Sequence, residues 1–277
     1  MWNGVNSDRK QENTARVTQD GILRGLEELG IRRGEILYVH SSLSAFGHVD
    51  GGADSVIDAL LESVGPGGAV AVPTFTWERN HAKPVVVFDV ANDSSEVGYI
   101  TEMFRQRPEA LRNEHVCHST AAIGPAAEAI MGDSIHPFAF DASLYKCYEL
   151  DSWYVFLGCG FSSGTALHTV EEIMQAPYRY YRDFKGSTVI RPDGTRVPAL
   201  SVEFLRRAGY ANDFAKMDTV FETDGILRHT CVGNATLTAA RIRDVIDGGI
   251  RYLKDDICFL LDEPSRTRWG ANHQGDE

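Results

Sequence analysis

The sequence has 277 residues, of which 43% are hydrophobic and 24% charged, a balance typical of a globular protein. This composition excludes a disordered, collagen-like or coiled-coil chain, and the apolar runs are too short for a membrane-spanning helix. With 39 acidic and 27 basic side chains, the formal net charge is -12. Nucleic acid and anionic membranes are therefore expected to be unfavourable partners, whereas a cationic small molecule would be attracted.

Cysteine spacing and the N-terminal residues indicate the cellular compartment. The five cysteines include no CxxC pair, and their odd number disfavours both a disulfide framework and a zinc site. Residues 1–17 are polar and lack the apolar segment of a secretory signal. We expect a cytoplasmic protein without a metal ion, either a monomer or a homodimer. We also expect a single domain over residues 1–277, with flexible segments at 1–14 and 263–277.

The first third of the chain has the pattern of an α/β protein. Thr18 can cap an amphipathic helix that Gly30 ends. Segment 35–47 is a β-rich apolar run that breaks into a serine- and glycine-rich loop, 53–64 is an amphipathic helix, and 69–75 is a second buried strand. This strand–loop–helix–strand order predicts a layered α/β fold.

The rest of the chain continues the alternation and adds antiparallel strands. Pro192, Asp193 and Gly194 predict a β-hairpin within 187–200. The other predicted segments are an irregular loop at 78–98, helices at 98–108, 125–132 and 161–176, strands at 118–124 and 153–160, and a strand followed by a long helix at 226–253. The pattern alone therefore predicts one α/β domain with a mixed sheet and a hairpin insert.

A serine-rich loop is the first candidate binding segment. Residues 39–47, VHSSLSAFG, lie between a predicted strand and a predicted helix. Such a loop can offer backbone N–H groups and the hydroxyls of Ser41, Ser42 and Ser44 to an anion, although the same composition also suits a simple turn. The loop is neither a Walker A motif nor GxGxxG, so it does not define a ligand by itself.

The second candidate is a histidine–glutamate pair. On a helix, His168 has Glu171 three residues and Glu172 four residues further on, so either carboxylate can face the imidazole. A carboxylate that fixes the tautomer of a histidine creates a general base. A di-iron site is disfavoured because it needs a second Glu-x-x-His motif, and a solvated helix face is the remaining alternative.

The third candidate is the segment HVCHST, which begins at His115. Its histidines and Cys117 suggest a metal site, but in an extended segment His115 and His118 are expected to point to different faces. Because adjacent residues rarely meet on a strand, a Cys117 nucleophile activated by His118 is also disfavoured. The hydroxyls of Ser119 and Thr120 remain as hydrogen-bond donors to a carbonyl or phosphate.

Loop residues near strand ends form a fourth candidate set. Trp77 and Glu78 follow a buried strand, where ligands commonly bind in open α/β sheets. A solvated loop carboxylate is the alternative for Glu78, Glu222 and Asp224. The acids that could attract a cationic substrate by charge and loop position are Glu78, Asp89, Asp93, Glu222 and Asp224.

Four blocks of the sequence, in this order, resemble the aminoglycoside 3-N-acetyltransferases. The blocks are 37–77 with LYVHSSLSAFGHVDGGADSV, 104–125 with FRQRP and HVCHS, 148–172 with GTALHTVEE, and 231–253 with CVGNATL. The resemblance implies a three-layer α/β/α fold with a mixed central sheet. It also implies acetyl-CoA as the acetyl donor and an amine of a 2-deoxystreptamine aminoglycoside as the acceptor.

The same resemblance implies roles for individual residues. The motif LHxxE matches Leu167, His168 and Glu171, so His168 would be the general base and Glu171 its preferred partner. Acyl transfer also needs hydrogen-bond donors at the thioester carbonyl, and we expect Ser119 or Thr120 to supply them during direct transfer in a ternary complex. By the resemblance, coenzyme A would contact His40, Ser41, Ser42, Leu43, Ser44, Ala45, Phe46, Thr74, His118 and Ser119. By charge and loop position alone, the acceptor would contact Trp77, Glu78, Asp89, Glu222 and Asp224.

Three alternatives accompany this interpretation. The first is a related N-acetyltransferase for a different amine, since Val116 and Cys117 depart from the His-Pro-x-His-Ser of resistance enzymes. The second is a non-catalytic module that binds coenzyme A or a drug, which the presence of His168 and Glu171 disfavours. The third is a serine or cysteine hydrolase, but we expect no nucleophile elbow in the chain.

Overall fold

The computed structural model describes residues 16–133 and 135–273. Its strands are β1 (Arg16–Val17), β2 (Ile36–Ser41), β3 (His48–Val49), β4 (Ala69–Pro73), β5 (Val87–Asp89), β6 (Leu111–Arg112), β7 (Thr120–Ile123), β8 (Trp153–Leu157), β9 (Arg179–Asp183), β10 (Thr188–Ile190), β11 (Arg196–Pro198), β12 (Val202–Arg206), β13 (Arg228–Val232) and β14 (Ala235–Arg241). Its helices are α1 (Gln19–Glu28), α2 (Gly52–Val64), α3 (Trp77–Asn80), α4 (Tyr99–Arg105), α5 (Ala127–Met131), α6 (Ser143–Glu149), α7 (Ala166–Ile173), α8 (Lys216–Thr223), α9 (Ile242–Asp255) and α10 (Glu263–His273).

A seven-stranded mixed sheet forms the middle layer, in the order β13-β14-β8-β2-β4-β7-β6. The central strands β8, β2 and β4 are parallel, whereas β14 and β13 on one side and β7 and β6 on the other are antiparallel to their neighbours. The carboxyl ends of β2, β4 and β8 therefore meet at one edge of the sheet, and the segments that follow these three strands carry the predicted site residues.

Side-chain alternation along the central strands explains the three layers. On β2, Leu37 and Val39 pack in one core, whereas Tyr38 between them packs in the opposite core. Val155 and Tyr154 on β8 divide in the same way, because successive side chains of a strand point to opposite faces. Helices α1, α2 and α4 cover the first face, and α5, α6, α7 and α9 cover the second. This arrangement is the three-layer α/β/α fold that the resemblance implied.

Several local predictions are confirmed by the backbone. The Thr18 hydroxyl caps α1 by accepting a 3.2 Å hydrogen bond from the Gly21 amide. The predicted hairpin is formed by β10 and β11, and the turn between them is closed by the Arg191 amide, which donates to the Thr195 carbonyl. Strand β10 also pairs with β5, β9 pairs with β12, and β1 pairs with β3, so the described chain has three small sheets besides the central one.

Three predicted segments differ from the structure. Segment 226–253 contains two strands before its helix, because Gly233 and Asn234 form a two-residue turn between β13 and β14. The loop predicted at 78–98 includes part of α3 and all of β5. In the segment 263–277 that was expected to be flexible, residues Glu263–His273 form α10, whose Trp269 ring packs against Tyr178 and Tyr210. The segments 1–14 and 274–277 lie outside the described residues.

No helix in the described ranges 16–133 and 135–273 combines the length and apolar character needed to cross a membrane.

Candidate active site

Two adjoining cavities open at the carboxyl edge of the central sheet. We call them the serine-loop cavity, of about 360 Å³, and the arginine cavity, of about 430 Å³. Both cavities are lined by Phe75, Val97, Thr165 and His168. The serine-loop cavity is also lined by His40, Ser41, Cys159, Ser162, Ser163 and Gly164, and the arginine cavity by Trp77, Glu78, His118, Phe138, Arg179 and Arg206. His168 thus lies where the two cavities meet.

The His168 imidazole is held by a buried carboxylate on the same helix. One turn along α7, the Glu171 carboxylate is fully buried and its Oε2 lies 2.7 Å from His168 Nδ1. Asn212 Nδ2 donates to Glu171 Oε1 at 2.6 Å, and Arg179 forms a 2.6 Å ion pair with Oε2. Glu171, rather than Glu172, is therefore the partner of His168 in this structure.

This geometry determines which nitrogen of His168 can receive a proton. A carboxylate oxygen only accepts hydrogen bonds, so Nδ1 must carry the hydrogen that it donates to Glu171. The other ring nitrogen, Nε2, then has the lone pair that can accept a proton from a substrate. Arg179 Nη2 lies 3.0 Å from the same Nδ1 and brings a positive charge against the ring.

The protonation states follow from burial and from that positive charge. Burial and the Arg179 guanidinium lower the pKa of His168, while Glu171 raises it in part. Burial alone would raise the pKa of Glu171, but the charge of Arg179 and the hydrogen bond from His168 hold that pKa below its ordinary value. At neutral pH the pair is therefore a neutral imidazole beside an ionised carboxylate, which is the state that a general base requires.

Only part of the predicted coenzyme A loop faces the cleft. His40 and Ser41 line the serine-loop cavity, whereas Phe46 is fully buried in the core, with Leu43 and Ala45 packed against that core. The remaining predicted loop residues, Ser42 and Ser44, do not line the cavity. Their hydroxyl oxygens lie 3.3 Å apart.

A glycine allows this loop to lie on the end of β8. A Cβ atom on Gly158 would come within 2.4 Å of Ala45 Cβ, and the φ angle of Gly158 is +70°. Both observations require glycine at this position. The loop is held in place by the Ser42 amide, which donates to the Leu157 carbonyl at 2.9 Å.

Thr165 is a site residue that sequence reasoning missed. It lines both cavities, and its hydroxyl lies 3.0 Å from His40 Nε2, which also contacts the Tyr154 hydroxyl at 2.9 Å. Burial lowers the pKa of His40 to about 3, so this imidazole is neutral. The only sequence signal for Thr165 is its position just before α7 and three residues before His168.

Ser119 and Thr120 do not face the cleft as predicted. Both are buried, and neither is among the residues that line the two cavities. The Ser119 hydroxyl donates to the Thr74 carbonyl at 2.8 Å and accepts from Arg112 Nε at 3.1 Å. Arg112 Nη2 also donates to the same Thr74 carbonyl at 2.7 Å. The structure therefore gives Thr74 and Ser119 internal partners that fix the end of β4 against β7.

The histidines of the HVCHST segment meet, contrary to the expectation for an extended strand. Residues 116–118 form a turn, His115 Nδ1 accepts the His118 amide at 3.0 Å, and the two rings lie 5.4 Å apart. His118 lines the arginine cavity, as expected for a residue beside the substrates. Burial raises the pKa of the Cys117 thiol, which disfavours a thiolate there. Residues 16–133 and 135–273 contain no cluster of three or more side chains suited to a metal ion.

The predicted acceptor-binding acids are dispersed. Trp77 and Glu78 line the arginine cavity, but Asp89 caps the turn at Ala91 and Asn92. The other predicted acids have partners outside both cavities: Asp93 pairs with Arg79, Glu222 with His229, and Asp224 with Arg251 and Tyr252. Sequence position placed these acids in loops but could not show that they lie apart.

The sequence does contain the letters of a hydrolase nucleophile elbow, contrary to our expectation. The letters Gly160 to Gly164, GFSSG, do match G-x-S-x-G. A nucleophile elbow holds its serine on a strained turn, whereas Ser162 lies in the 3₁₀ turn Phe161–Ser163 and is absent from the positive-φ residues of the described chain. The match therefore does not form an elbow.

Fold and site together define an α/β protein in which a buried histidine–glutamate pair lies between two adjoining cavities. The family model for aminoglycoside 3-N-acetyltransferase matches residues 38–254. The chain belongs to this family of acyltransferases.

Individual relatives agree with this assignment. The chain is 28% identical to aminoglycoside N(3)-acetyltransferase IV from Salmonella sp over 247 residues, which cover 88% of this chain and 90% of the relative. It is also 28% identical to the aminoglycoside N(3')-acetyltransferase-like protein YokD of Bacillus subtilis (strain 168), over 83% of this chain and 90% of that protein.

Two solved structures with ligands share the fold. The binary complex of AAC-IIIb with CoASH superposes with a TM-score of 0.75 at 25% identity, covering 87% of this chain and 97% of that chain. A mutant of aminoglycoside acetyltransferase AAC(3)-IVa in complex with a gentamicin also has a TM-score of 0.75 at 25% identity, covering 92% and 95% of the two chains.

Proposed function

We propose that this protein transfers the acetyl group of acetyl-CoA directly to the 3-amino group of a 2-deoxystreptamine aminoglycoside, with His168 as the general base. The position of His168 Nδ1, 2.7 Å from a buried carboxylate and at the junction of two cavities, carries the proposal. A two-substrate transfer needs a base at the point where both substrates can reach it. The family membership supplies the reaction class.

The serine-loop cavity suits the acyl end of coenzyme A. In the described chain the Ser41 hydroxyl is buried without a hydrogen-bond partner at the wall of this cavity. A buried polar atom without a partner is costly, so the site favours a ligand that supplies one. The pantetheine amides of coenzyme A are such partners, and a relative of the same fold was solved with CoASH bound.

The bonds and protons of the proposed step balance as follows from the two substrates and His168 alone. The acceptor nitrogen attacks the thioester carbonyl carbon while His168 Nε2 takes a proton from that nitrogen. The carbon–sulfur bond breaks, and the coenzyme A thiolate then receives the proton from the imidazolium. No acetyl-enzyme forms, so both substrates are bound at once. General-base catalysis of this kind contributes about 10²–10⁴-fold to the rate.

The carbonyl oxygen gains negative charge during the attack and needs a hydrogen-bond donor. We assign this role to the Thr165 hydroxyl in place of Ser119 or Thr120. Thr165 lines both cavities, whereas the two other hydroxyl residues are buried behind them. If His40 donates its Nε2 hydrogen to Thr165, the threonine hydroxyl hydrogen is free to point at the substrate.

A thiol-release assay tests the proposal. Purified protein, acetyl-CoA and one acceptor are mixed, and free coenzyme A is followed with gentamicin, neomycin, apramycin and a control compound that lacks the 3-amine. We expect release with the drugs and none with the control. If none of the acceptors gives release of coenzyme A while acetyl-CoA still shifts the melting temperature, the acceptor assignment is overturned and the donor site is kept. The absence of both would overturn the whole proposal.

A further inference from the structure

The start of α7 is held by a tyrosine from the central sheet. Tyr154 on β8 is fully buried, and its hydroxyl oxygen accepts a hydrogen bond from the Ala166 amide, at the start of α7, at 3.1 Å. The first amides of a helix have no partner within the helix, and a threonine at this end commonly supplies one. The Thr165 side chain makes no such capping bond. The Tyr154 hydroxyl takes that place, and the Thr165 hydroxyl is left for other partners.

Both hydroxyl groups converge on one nitrogen of His40. Nε2 of this imidazole lies 2.9 Å from the Tyr154 oxygen and 3.0 Å from the Thr165 oxygen. His40 is neutral, because burial lowers its pKa to about 3, so Nε2 carries either one hydrogen or one lone pair. In neither state can Nε2 form a good hydrogen bond with both hydroxyl groups at once.

Burial decides which hydroxyl group bonds to this nitrogen. In residues 16–133 and 135–273, His40 Nε2 is the one acceptor with hydrogen-bond geometry to the Tyr154 hydroxyl, whose oxygen already accepts from Ala166. A buried donor without an acceptor is costly. Thr165 lines both cavities, where water or a substrate can accept its hydrogen. Tyr154 therefore donates to Nε2, and the hydrogen of His40 lies on Nδ1.

The surroundings of His40 are compatible with a hydrogen on Nδ1. His40 lines the serine-loop cavity, and its Nδ1 is not one of the buried polar atoms that lack a partner in the described chain. With the hydrogen on Nε2 instead, His40 could donate to Thr165, but the Tyr154 hydrogen would then have no acceptor. Only the first arrangement satisfies every buried hydrogen of this group.

We infer that Tyr154 is a positioning residue for the Thr165 hydroxyl. Because Tyr154 occupies the lone pair of His40 Nε2, Thr165 cannot donate its hydrogen inward, and this hydrogen points to the thioester carbonyl where the two cavities meet. Tyr154 itself is fully buried and lines neither cavity, so it acts through Thr165. The inference rests on the proposed acetyl transfer and on the role of Thr165 in it.

A double-mutant cycle tests the inference. Tyr154→Phe opens the Nε2 lone pair to Thr165, and kcat should fall about ten- to a hundredfold, most of the effect of losing one oxyanion donor, with KM for acetyl-CoA unchanged. Thr165→Val removes that donor outright and should lower kcat by about 10²–10³-fold. In the Thr165→Val background, Tyr154→Phe should change kcat by no more than about twofold, because no hydroxyl hydrogen remains to be redirected.

A purely structural role of Tyr154 predicts a different pattern. If Tyr154→Phe acted by displacing α7, which also carries His168, kcat would fall by the same factor in both backgrounds, and the inference would be overturned. Thr165→Ser keeps the hydroxyl group, so it should retain most of kcat and remain sensitive to Tyr154→Phe.

A second buried tyrosine provides the matched control. Tyr38 on the neighbouring strand β2 is as buried as Tyr154, but its hydroxyl makes no hydrogen bond to His40 in the described chain. Tyr38→Phe should therefore keep kcat within a few-fold of the wild type. A loss equal to that of Tyr154→Phe would show that the removal of any buried hydroxyl here is enough, and would also overturn the inference.

Nuclear magnetic resonance tests the placement of the hydrogens without turnover. In protein labelled with ¹⁵N-histidine, with His40→Gln to assign the signals, the ¹⁵N shifts of His40 should show a hydrogen on Nδ1 and none on Nε2. A hydrogen on Nε2 would overturn the inference even if the protein transfers acetyl groups. A hydrogen on Nδ1, with no acetyl transfer to any acceptor, would overturn the proposed function and support the placement.

Discussion

Helix α7 carries two neighbouring glutamates, and each of them binds a histidine. Glu171 binds His168 at 2.7 Å, and Glu172 binds His136 at 3.1 Å. Both carboxylates are fully buried. The first pair is surrounded by Arg179 and Asn212, whereas the Glu172 carboxylate accepts from the Tyr181 hydroxyl and from the amides of residues 138 and 139.

The surroundings give the two pairs different properties. Beside Arg179, Glu171 has a lowered pKa and stays ionised. Within residues 16–133 and 135–273 no arginine forms an ion pair with Glu172, and burial raises its pKa in spite of its hydrogen bonds. His168 lines both cavities, while His136 lines neither. We therefore expect a histidine–glutamate contact to act as a general base only where a cavity reaches the ring, and elsewhere to hold a loop in place.

The largest expected effect is the difference in kcat between substitutions of His168 and of His136. His168→Ala should lower kcat by about 10²–10⁴-fold, because the amine loses its proton acceptor, and should leave acetyl-CoA binding unchanged. The thiol-release assay and a titration with acetyl-CoA measure the two quantities. His136→Ala is the control and should keep kcat within a few-fold. Near-normal kcat in His168→Ala would show that the two pairs do not differ in the proposed way.

The second-largest expected effect is the difference in kcat between Glu171 and Glu172 variants. Glu171→Gln should lower kcat by about a hundredfold, since the amide no longer selects the Nδ1–H tautomer or stabilises the imidazolium. Its acetyl-CoA affinity should be unchanged. The same substitution at Glu172 should change kcat much less, and an equal loss in both variants would contradict the comparison.

Glu172→Gln should instead affect stability. The amide keeps one acceptor oxygen but places an NH₂ group among donors that the carboxylate now binds. We expect a loss of about 1–3 kcal/mol in the free energy of unfolding. Chemical denaturation measures this loss, with Glu149→Gln on the exposed end of α6 as a control. An unchanged free energy of unfolding would mean that the loop 136–139 does not depend on this carboxylate.

The smallest effect is on pH dependence. Because protonated His168 cannot act as a base, kcat falls on the acid side of its pKa, and Arg179 lowers that pKa. Arg179→Gln should therefore raise the pKa and move the acid limb of the kcat profile to higher pH. Arg179→Lys keeps a positive charge and should leave the limb closer to that of the wild type. A limb that moves to lower pH would contradict the assigned sign.

Local sequence spacing predicts several of the elements and limits one contact of the site to two residues. The apolar periodicity predicts helix α2, the turn residues predict the hairpin β10–β11, and the helical spacing predicts that Glu171 or Glu172 contacts His168, with the family resemblance favouring Glu171. These features depend on neighbours within one helical turn or one tight turn. The four ordered blocks added the family and its three layers, which spacing alone did not give.

Only the tertiary structure decided the rest of the site. Thr165 meets His40 across 125 positions of sequence, and Asn212 meets Glu171 across 41. Glu222 and Asp224 resembled acceptor-binding acids in sequence but bind partners outside both cavities, while Arg206, which no pattern singled out, lines the arginine cavity. Spacing fixes what a residue can contact within its own helix or turn. The cleft is built from loops and strand ends that meet only when the sheet has formed and its helices have packed, so its charge and its partners are properties of the assembled fold.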